Sequence, residues 1–110
     1  MVDPVVDRLL EIDIACRDLA ERLRVLQEAC AEIRTMRARG RPASEIVADG
    51  PGVPARRDVR ASWSRVNEAL HGYRACLVVS MIDDEGMSIA EVARLTGNAR
   101  QVVSRLYHSR

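Results

Sequence analysis

Between Val5 and Ile33 the apolar residues step four, three, four, three without a miss: Val5, Leu9, Ile12, Cys16, Leu19, Leu23, Leu26, Cys30 and Ile33. A seven-residue repeat kept up over four heptads is the pattern of one long helix whose stripe must lie against another helix. Leu9, Cys16, Leu23 and Cys30 take the a positions, and Val5, Ile12, Leu19, Leu26 and Ile33 the d positions. Asp3 before Pro4 opens the helix, with Asp as cap and Pro at the first helical position. Gly40 and Pro42 stop it near Arg39. Such a helix is roughly 50 Å long at about 1.5 Å per residue. It requires a symmetry mate, a second helix of the chain, or both. Val6, Ala15, Ala20, Ala29 and Met36 widen the stripe, which favours a bundle over a two-stranded zipper.

The second helix is present. From Asp58 to Glu85, Val59, Trp63, Val66, Leu70, Tyr73 and Leu77 repeat the same steps, so an antiparallel hairpin follows. Gly72 interrupts it at about 1 kcal/mol relative to Ala, which calls for a close backbone approach or a bend. The chain of 110 residues is one domain's worth, and 3% aromatic content without Phe makes its core aliphatic. Strand signals are scarce, so the fold class is all-α. The expected organisation is a dimerising heptad helix at 1–39, a flexible Pro/Gly/Arg linker at 40–57 with one helical turn at 44–48, and a unit at 58–110. Leu9, Ile12, Cys16, Leu19, Leu23, Leu26, Cys30, Ile33 and Trp63 are the expected dimerisation residues.

Three cysteines, Cys16, Cys30 and Cys76, with no CxxC or Cys/His pairing, fit neither a disulfide framework nor a zinc site. At a positions, Cys16 and Cys30 read as buried small hydrophobes; the alternative is a redox-sensitive pair across a parallel dimer. A reducing cytoplasm is the default for such a chain. No apolar run is long enough to cross a membrane. There is no phosphate loop and no nucleophile beside a base, so neither an enzyme nor a cofactor or metal site is expected. Asp83, Asp84 and Glu85 read as a solvated helix end, and His71 as a solvated or packed residue.

The C-terminal stretch carries the chemistry. Ser88 and Glu91 have capping-box spacing, so a helix starts at Ser88. Ile89, Val92, Ala93 and Leu95 share one face, and Gly97 can end the helix in the left-handed region. Asn98, with Gln101 three residues on, can cap the next helix, whose buried stripe is Val102, Val103 and Leu106. Its other face holds Arg100, Gln101, Ser104, Arg105 and His108. Residues 87–110 hold 4 Arg against 1 acid, whereas 1–39 hold 7 against 8 and 58–86 hold 3 against 5. Basic charge therefore gathers where phosphate contact needs it. All 17 basic residues are Arg, a bias of GC-rich, actinobacterial-type genomes.

From Ser88 to Leu106 the sequence resembles the bacterial helix-turn-helix DNA-binding superfamily. Ile89 to Ala93 and Arg100 to Leu106 carry most of the likeness; Asn98 and Ala99 depart from the usual apolar residue and Ser of the turn. The resemblance implies binding to double-stranded DNA, with Ala99 to His108 in the major groove; with the heptad helices as the dimer seam and a reducing compartment as the default, the expectation is a cytoplasmic homodimer at the nucleoid. Arg100 and Gln101 are placed for base edges. Ser104, Arg105 and His108 follow, with Asn98 in the turn and Ser88, Arg94, Thr96 and Arg110 for phosphates. A repressor-like transcriptional regulator is the leading function. The alternatives are a nucleoid-associated protein with little base readout, and an antitoxin or sigma-factor-like adaptor. Arg39-Gly40-Arg41-Pro42 resembles an AT-hook core, which would give Arg39 and Arg41 a minor-groove contact.

Overall fold

The Val5 N–H donates to Asp3 Oδ1 at 2.8 Å, and helix α1 (Pro4–Ala38) follows from that cap. Its far end is closed by a left-handed Gly40, φ +83°. The Gly40 N–H bonds to the Arg37 carbonyl at 3.0 Å and the Arg41 N–H to the Met36 carbonyl at 3.2 Å. This is the paired closure that glycine allows at a helix end. In the computed structural model, which describes residues 3–109, the order continues with α2 (Ala43–Asp49), α3 (Gly52–Val79), a π-helical turn at Ser80–Asp84, α4 (Ile89–Thr96) and α5 (Arg100–His108). There is no strand among the described residues.

The expected linker at 40–57 is thus largely helix. α2 is longer than the single turn expected at 44–48, and α3 begins at Gly52 rather than Asp58. The prolines misled the reading. Pro54 lies in the first turn of α3, where a missing N–H costs nothing, and the Ala55 N–H already bonds to the Pro51 carbonyl at 3.2 Å.

Contacts divide the chain into two units, Ile14–Val66 and Met1–Asp13 with Asn67–Arg110. α1 and α3 each give a segment to both. In the unit 14–66 those segments run antiparallel. A Cβ on Gly52 would lie 2.9 Å from Ile33 Cδ1, and 44 residues separate Ser62 from Asp18, whose carboxylate accepts its hydroxyl at 2.6 Å. The buried line on α3 is Ala55, Ser62 and Val66, and Ala29 of α1 and Ile46 of α2 are buried in the same unit. The small side chains let the backbones come close.

This packing turns the helices away from the expected stripes. On α1 the d residues Ile12, Leu19, Leu26 and Ile33 are half-buried, together with Ala15, Arg22, Val25 and Met36. The a residues Leu9, Cys16, Leu23 and Cys30 are exposed, so Cys16 and Cys30 are not buried hydrophobes. Trp63 is 55% exposed and Leu70 is exposed as well, so neither belongs to a core within this chain. Val59, Tyr73 and Leu77 of that stripe are half-buried.

Ser62 is fully buried. The Asp18 carboxyl that accepts its hydroxyl is held below the usual carboxylate range, first by that hydrogen bond and then by the Arg22 and Arg65 guanidinium charges. Arg22 lies 3.5 Å and Arg65 3.8 Å from it. Folding therefore favours the ionised form. The stabilisation is complete above the unfolded value of about 3.9 and fades as pH falls through the lower folded value. Ser62→Ala removes the main cause. Urea midpoints should then differ more between wild type and variant at about pH 7 than at about pH 3; an equal difference at both would show that the hydroxyl does not tune Asp18.

Candidate nucleic-acid interface

Residues 75–107 are built round one aliphatic core: Ala75 and Val78 from α3, Val92 and Ala93 from α4, Val103 and Leu106 from α5. Val92 and Val103 are fully buried. Met81, Ile82, Met87, Ile89, Val102 and Tyr107 pack round them. The last turns of α3 thus support two short helices set on their apolar faces.

The start of α4 is locked as its sequence predicts. Ser88 Oγ accepts from the Glu91 N–H at 3.1 Å, and the Ser88 N–H donates to Glu91 Oε1 at 3.2 Å. Two of the orphan donors at the helix start are satisfied. The Glu91 carboxyl is held below its usual range, by the Ser88 backbone N–H first and the Ser88 hydroxyl next, with the Arg94 charge contributing less. The end is also as expected. Gly97 takes φ +74°, and its N–H bonds to the Ala93 carbonyl at 3.0 Å.

Two local expectations fail. Asn98 does not cap α5; Ala99 occupies the cap position, with φ −68° and ψ 151° and no side-chain cap bond. The Val102 and Val103 N–H groups bond to the Ala99 carbonyl, so the left-handed Gly97 sets the turn one residue later than the capping pattern suggested. Asn98 is half-buried in it. Leu95, expected on the buried face of α4, is 69% exposed. It lies two residues beyond the buried Ala93, about 200° round the helix.

α5 is nine residues long, RQVVSRLYH, without an acidic side chain, and extends about 13 Å. Val103 and Leu106 take its inner side. Arg100, Gln101, Arg105 and His108 are exposed, and Ser104 is half-buried. Gln101, Arg105 and His108, spaced four and three apart, form one outward row, with Arg100 beside its first turn. The His108 Nδ1 lies 2.7 Å from the Ser104 carbonyl, and its ring meets the Tyr107 ring edge-on at 5.2 Å. The Tyr107 hydroxyl donates to Asp83 Oδ1 at 2.7 Å. This strut holds α5 to the π-helical turn. Sequence reading missed it, since neither helical period nor motif relates residues 24 apart.

The other expected contacts are dispersed. Arg94 is exposed on α4. The Thr96 hydroxyl donates to its own helix at the Val92 carbonyl, 2.8 Å away. The Ser88 N–H and hydroxyl are both used in the cap. Arg110 lies outside the described residues. In the other unit, Arg39-Gly40-Arg41 forms the closed end of α1 and not the extended track that a minor-groove hook needs. Arg41 pairs with Asp49 at 2.7 Å and Glu45 at 3.3 Å, and the Asp49 hydrogen bond foremost pushes its guanidinium pKa up. Among the described residues no group of three or more His, Cys, Asp or Glu side chains could hold a metal ion. No helix there is long and apolar enough to cross a membrane.

Comparisons with protein-family models, with curated proteins and with solved structures found no match.

The capped turn and the core make separable contributions. Ser88→Ala removes one cap and should cost about 1 kcal/mol. Val103→Ala leaves a cavity in the centre and should cost about 2 kcal/mol. Urea denaturation followed by helical circular dichroism measures both; a cost for Ser88→Ala equal to that of Val103→Ala would contradict this order.

Proposed function

We propose that the chain is a dimeric, helix-turn-helix DNA-binding protein that acts at the nucleoid, in the manner of a transcriptional repressor. The observation that carries this reading is the outward row Gln101, Arg105 and His108 on α5 with Arg100 beside it, all exposed, on a helix without an acid that packs on an aliphatic core. A helix of this size fits the major groove, about 12 Å wide. Arg100 can pair with guanine O6 and N7, and Gln101 with adenine N6 and N7. Arg105, one turn on, reaches a base or phosphate, and Ser104, half-buried, only its margin. Arg94 on α4 is placed for a phosphate, and Leu95 beside the turn offers an apolar contact to a sugar or thymine methyl. Ser88 and Thr96 act as local hydrogen-bonding residues of α4.

The exposed apolar residues of the unit 14–66 support the dimer. Trp63 follows the buried Ser62 by one residue, and Leu23 follows the half-buried Arg22 by one. In an antiparallel helix pair, a step of the same hand on each helix leads to the same face. Leu23 and Trp63 therefore share a face with the other a residues, Cys16 and Cys30. The Asp18–Arg65 pair is on the opposite one. A hairpin that leaves this seam exposed is suited to a four-helix bundle with a second copy. Two reading helices would then favour half-sites about 34 Å apart.

Selection of bound sequences from a random duplex pool tests the first part. The expected result is a palindromic consensus, and Gln101→Ala should relax one position of it by about 1–3 kcal/mol. Arg94→Gln should instead weaken binding to all sequences and lower the salt slope by about one. Enrichment without consensus would indicate a nucleoid protein binding by backbone and shape; no enrichment would overturn DNA binding. Sedimentation tests the second part. Wild type should be dimeric and Leu23→Glu with Trp63→Glu monomeric; a monomeric wild type would leave that face to a different partner, as in an antitoxin or adaptor.

A further inference from the structure

Gly72 lies in the middle of α3, where glycine costs about 1 kcal/mol. The space it leaves is taken by Arg8. A Cβ on Gly72 would stand 3.0 Å from Arg8 Nη1 and 3.4 Å from its Cζ, so the guanidinium lies on the bare backbone. It forms one wall of a cavity of about 250 Å³ lined by Arg8, His71, Gly72, Ala75, Cys76, Val79 and Ser109. All seven belong to the unit that contains α4 and α5.

The chemistry of the lining is one-sided. Arg8 and His71 bring a cation and an imidazole, Ser109 a hydroxyl, and Ala75, Cys76 and Val79 an apolar floor. Among the described residues no carboxylate lines it. Arg8 also pairs with Glu11 through Nη1 at 3.2 Å, at an exposed site. Such a pair is weak in water, and the guanidinium keeps N–H groups on its other nitrogens. The Ser109 hydroxyl donates to the Leu106 carbonyl at 2.9 Å and keeps its lone pairs.

We propose that this cavity is a binding site for a small organic carboxylate. Its carboxylate is held by Arg8 with His71 beside it, and its short apolar body lies on Ala75, Cys76 and Val79. A Cβ at position 72 would press on the guanidinium and make it give by a few tenths of an ångström, so the mid-helix glycine lets it lie closer. The proposal stands apart from DNA binding, since it concerns only what this cavity holds. Ser109, immediately after α5, is part of the lining, so an occupied site touches the end of that helix.

The test is a titration of the full-length protein with benzoate, acetate and inorganic phosphate, followed by the NMR signals of the His71 ring and the Val79 methyl groups. Benzoate should shift both saturably. Acetate, which lacks the body, should bind more weakly, and phosphate should not move the Val79 methyls. Arg8→Gln, an exposed and conservative change, should weaken benzoate by about tenfold or more. Gly72→Ala, which makes the Arg8 tip give by a few tenths of an ångström, should weaken benzoate less than Arg8→Gln while the helical circular dichroism stays unchanged. Equal titration of wild type and Arg8→Gln, or no saturable shift up to about 10 mM benzoate, would overturn the proposal. Phosphate moving the Val79 methyls as strongly as benzoate would overturn the assignment to an organic carboxylate.

Discussion

A buried hydroxyl must find an acceptor, because an unpaired polar group out of water costs about 1–3 kcal/mol. Ser62 has no exposure at all, and its acceptor is Asp18 on the facing helix. Once that bond is made, the rotation of α3 against α1 in the unit 14–66 is set. Ser62 turns inward, in line with Ala55 and Val66. Trp63, one residue on, must turn outward, and on α1 the same rotation brings Asp18 and Arg22 to the seam while Leu23 leaves it. Arg22 and Arg65 beside the carboxylate reinforce the choice, since a part-buried charge is tolerated only with partners. One polar contact thus decides which apolar residues serve the monomer and which remain for an assembly.

The C-terminal part is organised differently. Its two short helices have few turns and little intrinsic stability of their own. Their order comes from three devices that act at their ends and along one side: the Ser88–Glu91 box, the left-handed Gly97, and the core of Val92, Val103 and Leu106. The Tyr107–Asp83 strut adds a long-range tie. Rigid support of this kind suits a recognition surface, whose side chains must be held in register with a ligand. On the proposed reading, α5 meets the groove as a preset row and loses little freedom on binding.

Much of the all-helical fold was legible in the residues themselves. Asp3-Pro4, Gly40, Ser88 with Glu91, and Gly97 are local signals whose physics involves only neighbours within a turn, and each appears where the sequence places it. The acid-free composition of α5 is equally local. The connector at 40–57 was misread because proline and glycine are ambiguous there. Pro54 breaks a helix interior but opens a helix when it falls in the first turn, and the choice depends on where the preceding helix ends. Asn98 was misread as a cap because the position of the turn follows from Gly97 and the core, not from the best capping side chain.

What the sequence alone determined is therefore the set of helices, most of their ends, and the gathering of Arg and Gln on the last of them. These depend on propensity, capping and backbone sterics within a few residues. The tertiary structure decided which side of each helix is inside. The heptad pattern of α1 is apolar over more than one face, so period alone does not say whether the a or the d edge meets α3. Likewise Leu95 and Trp63 satisfy an apolar period yet lie outward. The packing of small residues, the demand of Ser62 for a partner and the seat that Gly72 makes for Arg8 all depend on residues far apart in the chain, and only folding brings those together.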